Sequence, residues 1–202
     1  MELLTVERLL YKDIELYVPG MSLHLIKELN ESPELMMEMV KLYYTDNDVF
    51  FSQYHYVPCT YEDGLIDYNR LREYLMRLKQ MMIENGLEEH VSYVFGKIIS
   101  NIPESEDYPC EAMCRMVDEF ADDGIDSAIG SAIFNRRGAG TRSPYSGGVV
   151  ERHHIMVLEK YKSRASMRCC PRLVKVFNKE IQCFEEIAQM EDEQALRFKL
   201  MI

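Results

Sequence analysis

Apolar side chains in this chain recur three and four positions apart, and no stretch alternates with period two for long enough to support a sheet. That pattern restricts the fold to packed helices, each carrying an apolar stripe. The clearest stripe is Tyr68, Leu71, Leu75, Leu78 and Met82, with Arg70, Arg72, Glu73, Arg77 and Lys79 lying off it. Asp67 is suited to cap its start and Gly86 its end. Val91, Val94, Phe95, Ile98 and Ile99 mark a helix over 88–100. Val174, Phe177, Ile181, Phe184 and Ala188 mark the last one, opened by Pro171.

The remaining helices follow from start and stop signals. Residues 2–17 give a first helix ended by Val18-Pro19-Gly20, and Ser22 opens a short one to Leu29. Ser32-Pro33-Glu34 combines an N-cap, a proline suited to the first helical position and an acid in the first turn, and that helix runs to about Tyr44. Pro109 is expected to open a helix to about Asp122, closed by Gly124. Over 149–168, Val150, His154, Leu158, Tyr161 and Ala165 share a face. The expected fold is all-α: a single-domain helical bundle of about seven or eight helices. It ends in an antiparallel helical hairpin over 149–197, joined by the short Cys169-Cys170-Pro171 turn. The acidic, proline-flanked loop 101–109 is the best place for an internal boundary.

A chain of 202 residues buries roughly 70% of its unfolded surface, so it needs neither metal nor disulfide to hold it together. Its 14 methionines suit irregular helical cores. The opening MELLTVERLL lacks the features of a signal peptide, and no run approaches the ~18 apolar residues of a membrane span. A cytoplasmic location and no membrane association are expected. The six cysteines, Cys59, Cys110, Cys114, Cys169, Cys170 and Cys183, then read as reduced thiols. Cys110 and Cys114 stand one helical turn apart, but a lone CxxxC is not a metal motif. Neither a metal nor a cofactor is expected.

The net charge of −11 conceals a polarity. Residues 1–123 carry −15 and residues 124–202 carry +4; within 136–179 there are 11 basic residues against Glu151 and Glu159. At the head of this basic segment lies a Gly/Arg-rich loop, 135–148. Six of the chain's 10 glycines fall between Gly124 and Gly148, together with Arg136, Arg137 and Arg142. Glycine lets backbone amides approach an anion, and arginine offers forked donors that match phosphate or carboxylate. Gly147 and Gly148 lead directly into a helix N-terminus, and Arg152 follows in its first turn. These residues suit anion or partner binding. They also suit a structural connection whose arginines pair with the chain's own acids. The phosphate-loop and dinucleotide motifs are both absent.

Three functional classes follow. The first is a non-enzymatic binding or scaffold protein, whose basic segment 136–179 meets an acidic protein partner or, in a homo-oligomer, the acidic half of another copy. The second is nucleotide or nucleic-acid binding through the Gly/Arg loop, which the overall acidity disfavours. The third is an enzyme with a pocket between the loop, His153 as acid or base, and the aromatic segment Phe50 to Tyr61. His154 lies on the apolar stripe and reads as a packed core histidine.

Overall fold

The computed structural model describes residues 23–45, 55–61, 65–136, 143 and 145–200. Among these residues there are eight α-helices and no strand; extended pairing is limited to one antiparallel bridge, Thr60 with Ile66. The helix expected over 2–17 lies outside the described residues. The chain divides into two compact units, Met1–Ile102 and Pro103–Ile202, and the division falls inside the acidic loop 101–109.

The first unit contains α1 (Leu23–Glu31), α2 (Pro33–Thr45), α3 (Tyr68–Glu84) and α4 (Val91–Ser100), the last preceded by a 3-10 turn, Glu88–His90. Ser32 caps α2 as its sequence implies, its hydroxyl accepting from the Leu35 amide at 3.2 Å. Asp67 does the same for α3, accepting from the Arg70 amide at 3.1 Å. Gly86 takes φ +73° just past the end of α3, and Leu87 N–H reaches back to the Met82 carbonyl. Leu71, Leu75, Leu78 and Met82 are all fully buried, while Tyr68 is only half-buried. Tyr74 completes the stripe instead, donating its hydroxyl to the Leu29 carbonyl at 2.6 Å and so tying α3 to the end of α1. The aromatic segment is described over 55–61. Val57, Pro58 and Cys59 are buried, whereas Tyr56 and Tyr61 face outward.

The second unit contains α5 (Glu111–Phe120), α6 (Asp123–Asn135), α7 (Val149–Met167) and α8 (Pro171–Leu200). Two boundaries differ from the sequence reading. Helix α5 starts at Glu111, two residues after Pro109, and stops at Ala121, which takes the left-handed conformation at φ 36°. Gly124 therefore closes nothing. It lies in the first turn of α6, where Asp122 accepts from the Gly124 amide at 2.7 Å. An aspartate N-cap directly after the helix end restarts the chain and overrides glycine as a stop.

Helices α7 and α8 form the expected hairpin. Leu158 and Ala165 of α7 and Leu173, Phe177, Ile181, Phe184 and Ala188 of α8 are buried. One position departs from the predicted face of α7: Val150 is exposed, and the fully buried member of the first turn is Glu151. A carboxylate there lies beside the helix's free N-terminal amides, which favour negative charge. The hairpin turn is a Schellman motif. Cys170 N–H bonds the Ala165 carbonyl at 2.9 Å, and Cys169 N–H bonds the Ser166 carbonyl at 3.0 Å. Cys169 occupies the left-handed position at φ 56°, where a Cβ is unfavourable by ~1–2 kcal/mol. Its side chain is exposed. Cys169→Gly is therefore expected to stabilise the protein by about 1 kcal/mol, read as a higher urea midpoint with unchanged slope. An unchanged or lower midpoint would contradict this turn geometry.

Candidate functional site

The five described arginines of the segment 136–179 all reach oxygens of their own unit. Arg136 Nη1 donates to Glu104, Arg168 to Asp107, and Arg152 to Asp192. Arg172 forks onto Asp126, with Nη2 2.8 Å from Oδ2 and Nε 3.3 Å from Oδ1, and also reaches Asp123 at 3.1 Å. Arg164 Nη1 donates to the Tyr108 carbonyl at 3.1 Å. Residues 104–108 and the start of α6 are thus fastened to the hairpin by guanidinium groups. Arg137 and Arg142, expected as binding residues, lie outside the described residues.

Gly147, Gly148 and Arg152 come together, and an anion lies on them. It is the chain's own Asp192. The Gly148 amide donates to Asp192 Oδ1 at 3.0 Å, and Arg152 binds Oδ2. The Gly148 amide, then Arg152, hold the Asp192 carboxyl below the usual carboxylate range, so it stays charged at neutral pH. Gly147 adopts φ +57°, a conformation that favours glycine. Gly148 is needed for a different reason, because a Cβ there would sit 2.5 Å from Cα and 2.6 Å from the carbonyl oxygen of Ala188. Backbone cannot swing aside as a side-chain tip can. These glycines let the start of α7 touch α8, a close approach that explains their pairing without a ligand.

The remaining expected residues meet elsewhere in this unit. Arg136 and His153 line a cavity of about 210 Å³ together with Glu104, His154, Tyr161 and Phe184. Glu104 organises it, accepting from Arg136 through one oxygen and from Tyr161 Oη at 2.9 Å through the other. Tyr108 is buried at one edge, 4.7 Å from the Tyr161 ring and with the Arg136 guanidinium 5.9 Å from its own ring centre. Burial pushes the Tyr108 hydroxyl up to about 12. Burial and the bond to Glu104 do the same for Tyr161. Both phenols are therefore neutral near neutrality. His154 is half-buried and its ring stacks on Phe184 with centres 5.4 Å apart, as a packed histidine would. His153 is exposed, its ring 6.2 Å from that of His154. His153 lies in the Pro103–Ile202 unit and the aromatic segment in Met1–Ile102, with Phe50, Phe51 and Tyr54 outside the described residues.

The cysteines are free thiols. Cys114 and Cys170 are buried together, the Cys170 sulfur lying 3.7 Å from the Cys114 carbonyl and 3.6 Å from Asp118 Oδ1. Among the described residues no group of three or more His, Cys, Asp or Glu is placed to hold a metal ion. Nor is any described helix long and apolar enough to cross a membrane. Glu104, Tyr108, Asp192 and the buried Glu151 were not singled out by the sequence. Glu104 and Asp107 could have been sought in the charge balance, since eleven basic residues need counter-charges and the loop 101–109 is acidic. Comparison of the chain with protein-family models, with curated proteins and with solved structures finds no match.

The close approach at Gly148 has a measurable consequence. Gly148→Ala is expected to destabilise the protein by about 1–3 kcal/mol, the usual cost of forcing a methyl group into occupied space. Chemical denaturation measures it, and a variant as stable as the parent would contradict the contact with Ala188.

Proposed function

We propose that the chain is a non-enzymatic binding protein that engages an acidic partner protein through the outward face of α7. The observation that carries this reading is a continuous exposed stripe along the whole helix. Val149, His153, Met156, Lys160, Ser163 and Met167 follow one another at spacings of 4, 3, 4, 3 and 4, and every one is exposed. Val149, Met156 and Met167 expose 61%, 65% and 74% of their surface, on the side opposite buried Leu158 and Ala165. A helix held only by its inner face has no structural need for apolar groups outside. Exposed methionines on a regular stripe form an adaptable contact surface, and 19 residues of helix extend it over about 27 Å.

Charge selects the partner. Arg136, Arg152, Arg168 and Arg172 have carboxylates of their own unit, so they add little to an external field. Lys160, in the middle of the stripe, has no carboxylate within salt-bridge distance among the described residues. An acidic segment with apolar anchors complements both features. The occupied state of the Gly148–Arg152 anion site weighs against a nucleotide as ligand.

The double variant Met156→Glu, Lys160→Glu is the test. Binding partners retained by the parent protein from a cell extract are expected to be lost by the variant, and their affinity to fall at least about tenfold, near 1.4 kcal/mol. Sedimentation velocity of the purified parent and variant separates a second copy from a foreign partner. A dimer abolished by the variant would make the partner another copy of this chain. Retention and sedimentation unaffected by the variant would overturn the reading.

A further inference from the structure

A second cleft, of about 330 Å³, opens between α6 and α8, away from the stripe on α7. Glu180 lines it. This side chain is 8% exposed, and no hydrogen bond or ion pair is made by its carboxylate among the described residues. Lys179 acts on it only through its charge, from beyond ion-pair distance, and burial raises the Glu180 carboxyl above the usual carboxylate range.

Directly opposite stands Gly130, in the middle of α6. A Cβ at Gly130 would lie 2.6 Å from Glu180 Oε1, so the carboxylate occupies the space where a side chain would be. Glycine within a helix costs roughly 1 kcal/mol relative to alanine. An unpartnered, largely buried acid is a second local cost. Two unfavourable choices meeting at a residue that lines a cleft mark a place where something other than stability is selected.

The chemistry of the cleft defines what would fit. Its wall includes Val176 and the alkyl stems of Lys175 and Lys179. Ser127, one turn before Gly130, contributes a hydroxyl, and Asp126 shares its carboxylate with Arg172. A metal ion is not matched, because no three such ligands converge among the described residues. A thin apolar stem ending in a compact N–H donor cation meets each requirement. The volume lies at the small end of ligand sites. We propose that the cleft between α6 and α8 binds a primary alkylammonium group, with Glu180 as its counter-charge and Gly130 making room for that carboxylate.

The probe is n-butylammonium chloride, titrated into nitrogen-15-labelled protein and followed through the amide signals of Ser127, Gly130 and Val176. Saturable shifts are expected at roughly millimolar concentration. Glu180→Gln should weaken binding at least about tenfold while preserving the helical circular dichroism. Lys179→Met removes a competing positive charge and should tighten binding several-fold, so the proposal does not rest on one variant. Tetramethylammonium, which carries the charge without N–H donors, should fail to produce the shifts. Nα-acetyl-lysine methylamide distinguishes the source of the ammonium. Equal binding would point to a lysine side chain, and weaker binding to a free amine. Shifts that do not saturate, that persist in Glu180→Gln, or that tetramethylammonium reproduces would overturn the proposal.

Discussion

Guanidinium groups fasten the second unit together. Helices α7 and α8 share an apolar seam from Leu158 and Ala165 to Phe177 and Ala188, which supplies the bulk of the hairpin's stability. That seam alone does not determine where residues 104–108 and α6 attach. Arg164 to the Tyr108 carbonyl, Arg168 to Asp107 and Arg172 to Asp126 contribute to this along the hairpin, and Arg136, at the end of α6, meets Glu104. Most of these pairs are partly exposed, and such pairs contribute ~0.2–1 kcal/mol each. They add to the contacts that α6 also makes through buried Ile125, Ile129 and Ile133 and through Phe134, stacked on Phe184. Arg172, forked onto an aspartate that is only 12% exposed, has the best geometry among them.

Much of the helical architecture was legible in the residues. The caps at Ser32 and Asp67 and the left-handed glycine at Gly86 followed from local chemistry, and so did the stripe of α3 and the C-terminal hairpin, because short-range geometry decides them. Where a local rule failed, a neighbouring one was stronger. Gly124 looked like a stop, yet Asp122 starts a new helix there, and Ala121 takes the left-handed turn. The charge polarity was visible too, and pairing of the arginines with the chain's own acids was among its readings, but the particular partners were not. Asp192 is 44 residues from Gly148 and meets it only because α8 doubles back along α7. Burial of Glu151 and of Glu180 is a tertiary fact with no sequence signal of its own.

The candidate site changes character under this geometry. The loop glycines and Arg152 have the composition of an anion site, and an anion is present in the form of a side chain. The outward face of α7 carries Val149, Met156 and Met167 together with Lys160, which has no carboxylate within salt-bridge distance among the described residues. None of the five arginines is directed to Glu180, the buried acid of α8. The two surfaces differ in what they ask of a ligand. As proposed, one takes a partner by area and acidic complementarity, and the other a single donor cation of small cross-section.

The measurement closest to the centre of this account is a double-mutant cycle on Arg172 and Asp126, using Arg172→Ala, Asp126→Ala and the pair, with unfolding free energies from urea titration. Residues joined in one ion-pair network couple by about 0.5–3 kcal/mol. A coupling energy of at least about 0.5 kcal/mol, stabilising in sign, is predicted, since both oxygens of the carboxylate meet the guanidinium. A coupling indistinguishable from zero would mean that the arginines of the hairpin are not committed to their own unit. Their positive charge would then be available to an external partner after all.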